Sequence, residues 1–201
     1  MHIGERASSA TVVIVPGWRD SGPGHWQSLW AERIPGARRV VQDDWITPTR
    51  AAWVAQLEKT VLAQEQPVVI VAHSRGGLLA RAFIDRAAHN VALAGVLERI
   101  ERVVTLHSPH QGSDLAGLTV RVDGAVQRVK GLVGSLGLRP AVLAALCLLS
   151  ASPAVAELAP GSALLRDLAR RTPPTGIAWH TFGGTSADQI GRASCRERVS
   201  S

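Results

Sequence analysis

The run Val68 to Gly77, VVIVAHSRGG, holds a serine where a nucleophile could be made. Pro67–Ala72 reads as an apolar strand buried on both faces, and Gly77–Arg86 reads as a helix. A strand passing into a helix through one serine must turn sharply there, which lifts the Ser74 hydroxyl clear of the backbone. Ala72 and Gly76, two residues before and two after, are small enough for neighbouring backbone to come close. The helix that follows aims the positive end of its dipole at any oxygen that becomes negative beside the serine. The chemistry this suits is acyl transfer, in which Ser74 attacks a carbonyl carbon and water later releases the acyl group. The plainer alternative is a serine in an ordinary strand–helix turn.

Such a nucleophile needs donors for the developing oxyanion. The residue after the serine offers one backbone N–H, and the loop after the first strand offers another. That loop is Val15-Pro16-Gly17-Trp18. The N–H groups of Arg75 and Trp18 are therefore the candidates, and their side chains play no part in that role. The Ser74 hydroxyl is expected within about 3–5 Å of both nitrogens.

Strands are expected at 11–16, 39–42, 67–72, 102–106 and 177–182, with 67–72 central and beside 11–16. Trp26, Leu29, Trp30 and Ile34 recur at helical spacing. Thr47 is expected to cap a helix with Pro48 at its first position and Trp53, Leu57 and Val61 on its buried stripe. Ser162 is expected to cap a helix that runs to Arg171, ahead of Pro173-Pro174, and Ala141–Leu149 reads as another helix. Residues 112–160 fit a lid or cap. The alternation of strand and helix gives the α/β class, with an open, mostly parallel sheet in one domain over residues 1–189.

Composition removes several other readings. The chain has 201 residues, 46% hydrophobic and 19% charged, which is globular and not disordered. No apolar run reaches the ~18–20 residues of a membrane span. The opening MHIGERASSA lacks the apolar core of a secretory signal, so a cytoplasmic location is expected. The net charge of +6 comes almost wholly from scattered arginine without interleaved aromatics, and nucleic acid is not expected as a partner. Cys147 and Cys195 form no disulfide framework or metal-ligand spacing, and no metal or cofactor is implied.

Residues 11 to about 73 resemble the small serine hydrolases of the retinoblastoma-binding type, through VPGWRDSGPGHWQSLW at Val15–Trp30, QDDW at Gln42–Trp45, TPTRAAWVAQLE and VAHS. From His73 onward the chain resembles bacterial triacylglycerol lipases and esterases, through HSRGGLLARAF, LHSPHQGSDLA at Leu106–Ala116 and WHTFGGTS at Trp179–Ser186. Both halves imply the α/β-hydrolase fold, so the junction near His73 is either a natural hybrid or the joining of two genes. Ile190–Val199, IGRASCRERV, has no strand or helix period and resembles a translated sequencing adapter. Residues 190–201 are accordingly expected to be a non-native tail, with the fold truncated before its last strand.

The resemblance implies a triad in the chain order serine, acid, histidine. Asp188 is the acid candidate by position, while Asp114 falls too early and Asp167 lies within a helix. No histidine follows His180. His180 reads as a packing residue, His107 and His110 as flanks of a strand end, His25 as a helix-start residue at the mouth, and His73 as pointing away from the serine. The expected function is hydrolysis of a small-molecule or lipid carboxylic ester by a chain impaired for want of its base. Amide hydrolysis shares the same machinery, and the alternative from another class is a non-catalytic interaction module built on the same fold.

Overall fold

The computed structural model describes residues 10–114, 116, 117, 120, 121, 153–183 and 196–199. Its strands are β1 (Thr11–Val15), β2 (Arg38–Arg39), β3 (Val68–His73), β4 (Ile100–Leu106), β5 (Ala178–Gly183) and β6 (Arg196–Val199). The helices are α1 (Trp26–Arg33), α2 (Arg50–Leu62), α3 (Arg75–Ala88), α4 (Ala94–Leu97), α5 (Pro153–Ala156) and α6 (Ala163–Ala169). The strands form one sheet in the order β2-β1-β3-β4-β5-β6. The first five are parallel, and β6 runs antiparallel to β5.

β3 sits between β1 and β4 as expected, with Val15 opposite Ala72 and His73 opposite Leu106. Its β-branched run has apolar partners on both sides, the setting that suits unbroken Val and Ile. α2 and α3 cover one face. Trp53, Leu57 and Val61 from α2 and Leu79, Phe83 and Ile84 from α3 are buried there against Val13, Val68 and Ile70. A smaller cluster joins Leu78 of α3 to Leu164, Leu165 and Leu168 of α6.

Several local expectations are corrected. Thr49, not Thr47, caps α2: its Oγ1 accepts from the Ala52 N–H at 3.3 Å, while Thr47 is bonded to Asp44. Pro48 therefore lies one residue before the cap. β2 is shorter than 39–42, because only Arg38 and Arg39 align with Val13 and Ile14. α1 buries Gln27 and Ser28, and Trp30 is exposed. The buried polar pair is committed to the end of β1 and the loop after it, so a hydrophobic period misreads this helix. Residues 190–199 are expected to hold no strand, yet Arg196–Val199 pairs with His180–Gly183. An edge strand offers unpaired N–H and C=O groups to any extended segment, whatever its side-chain pattern.

Ser162 caps α6 as expected, accepting from the Leu165 N–H at 3.3 Å. The helix expected at Ala141–Leu149 and most of the cap lie outside the described residues. Among the described residues no helix is long and apolar enough to cross a membrane.

Candidate active site

Ser74 joins β3 to α3 with φ 51° and ψ −126°. Such angles are rare for any residue with a side chain and mark an over-determined turn. Its N–H donates to the Leu106 carbonyl at 3.0 Å and its own carbonyl accepts from Gly77 at 3.1 Å, so both backbone groups are used. The hydroxyl makes no hydrogen bond to a described residue, even though Ser74 occupies the N-cap position. A side chain that would normally cap the helix is instead turned away from it.

The turn is as tight as it is because of two glycines. A methyl at Gly76 would stand 2.5 Å from the Val15 carbonyl oxygen and 2.7 Å from that of Pro16. A methyl at Gly77 would stand 2.1 Å from Ser108 Oγ. Hydrogen in both places lets the first turn of α3 lie on the ends of β1 and β4.

The loop after β1 reaches the serine at Gly17, where a methyl would be 3.0 Å from Ser74 Cβ and 3.5 Å from its Oγ. Trp18 is the next residue. The N–H groups of Trp18 and Arg75 have no acceptor among the described residues. For Arg75 this follows from its place at the start of α3, where helical N–H groups lack intrahelical partners.

Residues of the first resembling motif hold this loop in place. Gln27 is fully buried. Its Nε2 donates to the Val15 carbonyl at 3.3 Å, and its Oε1 accepts from Ser21 Oγ at 2.6 Å. Ser28 Oγ donates to the Gly22 carbonyl at 2.9 Å. Arg39 binds Asp20 and the Ser21 carbonyl. The QDDW segment props the loop from outside: Trp18 Nε1 donates to the Ile46 carbonyl at 3.1 Å, and Arg19 N–H to that of Trp45 at 3.3 Å. Asp44 fixes the segment by accepting from the N–H groups of Ile46 and Thr47, and its bonds to Thr47 and then Ile46 hold its carboxyl below the usual pKa.

Four histidines gather at this end of the sheet. His25 caps α1, its Nδ1 accepting from the Gln27 N–H at 3.3 Å. Its ring centroid is 5.4 Å from that of His73, which is 6.3 Å from that of His107. Burial first, then His25 and His107, push His73 down to about 4. His110 is bonded to Thr105 Oγ1 at 3.1 Å, and Thr105 donates onward to Thr181 at 3.0 Å. Burial, helped by Arg81, brings His110 to about 4. Thr105 must accept from His110 Nε2–H, which leaves Nδ1 buried without a described partner.

Ser74, Arg75 and the Trp18 loop are thus brought together, and Asp188 lies outside the described residues. The reading from sequence missed Glu157, which meets the Arg75 side chain from 82 positions away. Nothing in local pattern signals that contact. Among the described residues no cluster of three His, Cys, Asp or Glu could hold a metal. A cavity of about 230 Å³ between α2, α3 and α6, lined by Arg50, Val54, Asp85 and Leu168, does not include Ser74.

Residues 12–98 match the family model described as serine hydrolase. A search of curated proteins gives no match. Among solved structures, a YdeN-like hydrolase from Pectobacterium atrosepticum is 32% identical over 49% of this chain and 48% of its own, with a TM-score of 0.42. The metagenomic carboxyl esterase MGS0156 is 17% identical over 87% of this chain and 49% of its own, with a TM-score of 0.52. Phospholipase PlaB from Legionella pneumophila is 17% identical over 90% of this chain and 40% of its own, with a TM-score of 0.56. The chain spans about half the length of the first two proteins and less of the third. A serine raised from the central strand of a mostly parallel sheet, on a fold shared with the esterase and the phospholipase, gives this chain the α/β-hydrolase fold.

Proposed function

We propose that this chain carries the acylation half of a serine hydrolase that cleaves small-molecule or lipid carboxylic esters. The observation that carries the reading is the Ser74 turn: a left-handed serine with an unbonded hydroxyl, at the start of α3 and against Gly17. Strain of this kind persists only where surrounding structure enforces it, and it gathers at functional sites.

In the proposed reaction Ser74 Oγ adds to the ester carbonyl carbon. The carbonyl oxygen gains the negative charge and receives the N–H groups of Arg75 and Trp18, which have no acceptor among the described residues. Collapse expels the alcohol and leaves an acyl-serine, which water then hydrolyses. Asp188 keeps the role of acid proposed from chain order. No described histidine is hydrogen-bonded to Ser74 Oγ, so its proton has no acceptor in contact, and unassisted attack is slow. The ester preference draws support from the neighbours that are an esterase and a phospholipase by name.

The test is prolonged covalent labelling with a fluorophosphonate, which needs no acyl-enzyme turnover but is expected to be slow while no base is bonded to Ser74 Oγ. The adduct is expected on Ser74 and absent in Ser74→Ala. Labelling elsewhere, or none in the folded protein, overturns the assignment.

A further inference from the structure

We propose that Glu157 is a positioning residue for the Ser74 site, acting through the side chain of Arg75 to fix the direction of the Arg75 N–H. The proposal rests on the hydrolase reading above.

The Arg75 guanidinium is fully buried. Its Nη2 donates to Glu157 Oε2 at 2.5 Å, and its Cζ lies 5.2 Å from the centroid of the Trp53 ring. Nε and Nη1 have no partner among the described residues. A buried cation is held by whatever anion reaches it, and here the described anion is Glu157 alone. The side chain leaves the same residue whose N–H is the proposed oxyanion donor. Moving the guanidinium therefore moves the first peptide of α3.

Glu157 is itself anchored on the other flank of the site. Ser162 Oγ donates to its carbonyl at 2.7 Å. The Ser113 N–H donates to the carbonyl of Leu158, the next residue, at 2.8 Å. Gly112, at φ 97°, packs so closely on Pro160 that a methyl there would be 2.6 Å from its Cα. Residues 112 and 113 end the segment that starts at His107, beside the Leu106 carbonyl that receives the Ser74 N–H. The turn at 157–162 thus ties the segment after β4 to the first residue of α3. The other described ion pairs hold no fully buried cation: the Arg86 side chain, paired with Glu58, is half exposed.

The experiment compares the chain with Glu157→Gln, which keeps an oxygen acceptor and removes the charge. Three quantities are read: kcat and KM on an activated nitrophenyl ester, the rate of fluorophosphonate labelling, and hydrogen exchange of the Gly77 amide, whose N–H donates to the Ser74 carbonyl in the same turn. Misplacing one oxyanion donor is expected to lower kcat and labelling by about 10- to 100-fold, with KM within about twofold. Exchange at Gly77 should quicken while β1 and β3 amides keep their protection. The double variant Arg75→Met with Glu157→Leu removes the buried charges together. It should recover the melting temperature but not kcat, because nothing then aims the peptide. Recovery of kcat as well would make the pair merely structural and overturn the proposal, as would unchanged kcat and exchange in Glu157→Gln. If Glu157→Gln does not fold, Glu157→Asp must show the same split in smaller measure, and no split overturns it. If the unaltered chain neither turns over nor labels, the hydrolase reading fails by itself. Exchange at Gly77 then decides the positioning role, with no change in the variant overturning it.

Discussion

Ser74 and His107 leave neighbouring strands at the same positive φ, 51° in each, and the Ser74 N–H donates to the carbonyl of Leu106, the residue just before His107. Two adjacent non-glycine residues of this kind mean that the end of the sheet is strained where its chemistry is proposed to occur. Replacing Ser74 by glycine should relieve the angle, and replacing it by alanine should not. Ser74→Gly is expected to raise unfolding stability by about 1 kcal/mol, against little change in Ser74→Ala. Urea unfolding of both variants checks this, and both should lose fluorophosphonate labelling. Equal stability would mean that the turn stores no strain.

Gly76→Ala should be the more damaging glycine change. Its methyl would meet two carbonyl oxygens of β1 and its loop, and backbone cannot swing aside as a side chain can. A loss of about 1–3 kcal/mol is expected from such overpacking. Gly17→Ala meets the looser limit of 3.0 Å to Ser74 Cβ and should cost less stability, but it should slow labelling by crowding the hydroxyl. Thermal melts and labelling rates, taken together, separate the two effects.

Acid should destabilise the fold through His73 and His110. Both stand at about 4 in the folded chain against 6.5 when exposed, chiefly because burial disfavours the charged ring. Between those values the unfolded chain binds more protons, so stability is full above about pH 6.5 and falls as pH drops toward 4. Each histidine can contribute a slope of at most about 1.4 kcal/mol per pH unit. His110→Gln should flatten the slope of urea-derived stability over this window. An unchanged slope would show that His110 is charged in the folded protein.

Turnover of a short nitrophenyl ester by the chain as written should be slow. No histidine is bonded to Ser74 Oγ among the described residues, and a serine acting without a base loses on the order of 10⁶ in kcat, while oxyanion donors and binding alone keep about 10³–10⁴ over water. Steady-state assays with Ser74→Ala as the blank measure the remainder. Fast, Ser74-dependent turnover would instead identify a nearby histidine as the base, with His107 and His110 the first to replace.

The strands β1, β3, β4 and β5 were legible because parallel central strands are written as short apolar runs, such as TVVIV and VVIVAH. The serine turn was legible because it needs small residues at fixed offsets. The loop clamp was not. Gln27 is polar and fully buried, satisfied by Val15 and Ser21, and a pattern reader assigns such a residue to the surface. Thr49 and Thr47 are equally good caps by type, and only the engagement of Thr47 with Asp44 decides between them. The burial of Arg75 depends on Trp53 and Glu157, which arrive from distant segments. β6 pairs through its backbone, which leaves no alternation to read.

The parallel order that places β3 between β1 and β4 also says when the site comes into being during folding. Gly17, Ser74 and Leu106 meet at one point but belong to segments that must be joined by long crossovers. Closing such loops costs entropy before the contacts return it, so non-local parallel pairing forms slowly. The left-handed serine cannot be held until both neighbouring strands have docked. Reactivity of Ser74 toward a phosphonate should then lag behind helix formation in a refolding experiment and rise together with the last tertiary signal, making the nucleophile a chemical clock for completion of the sheet.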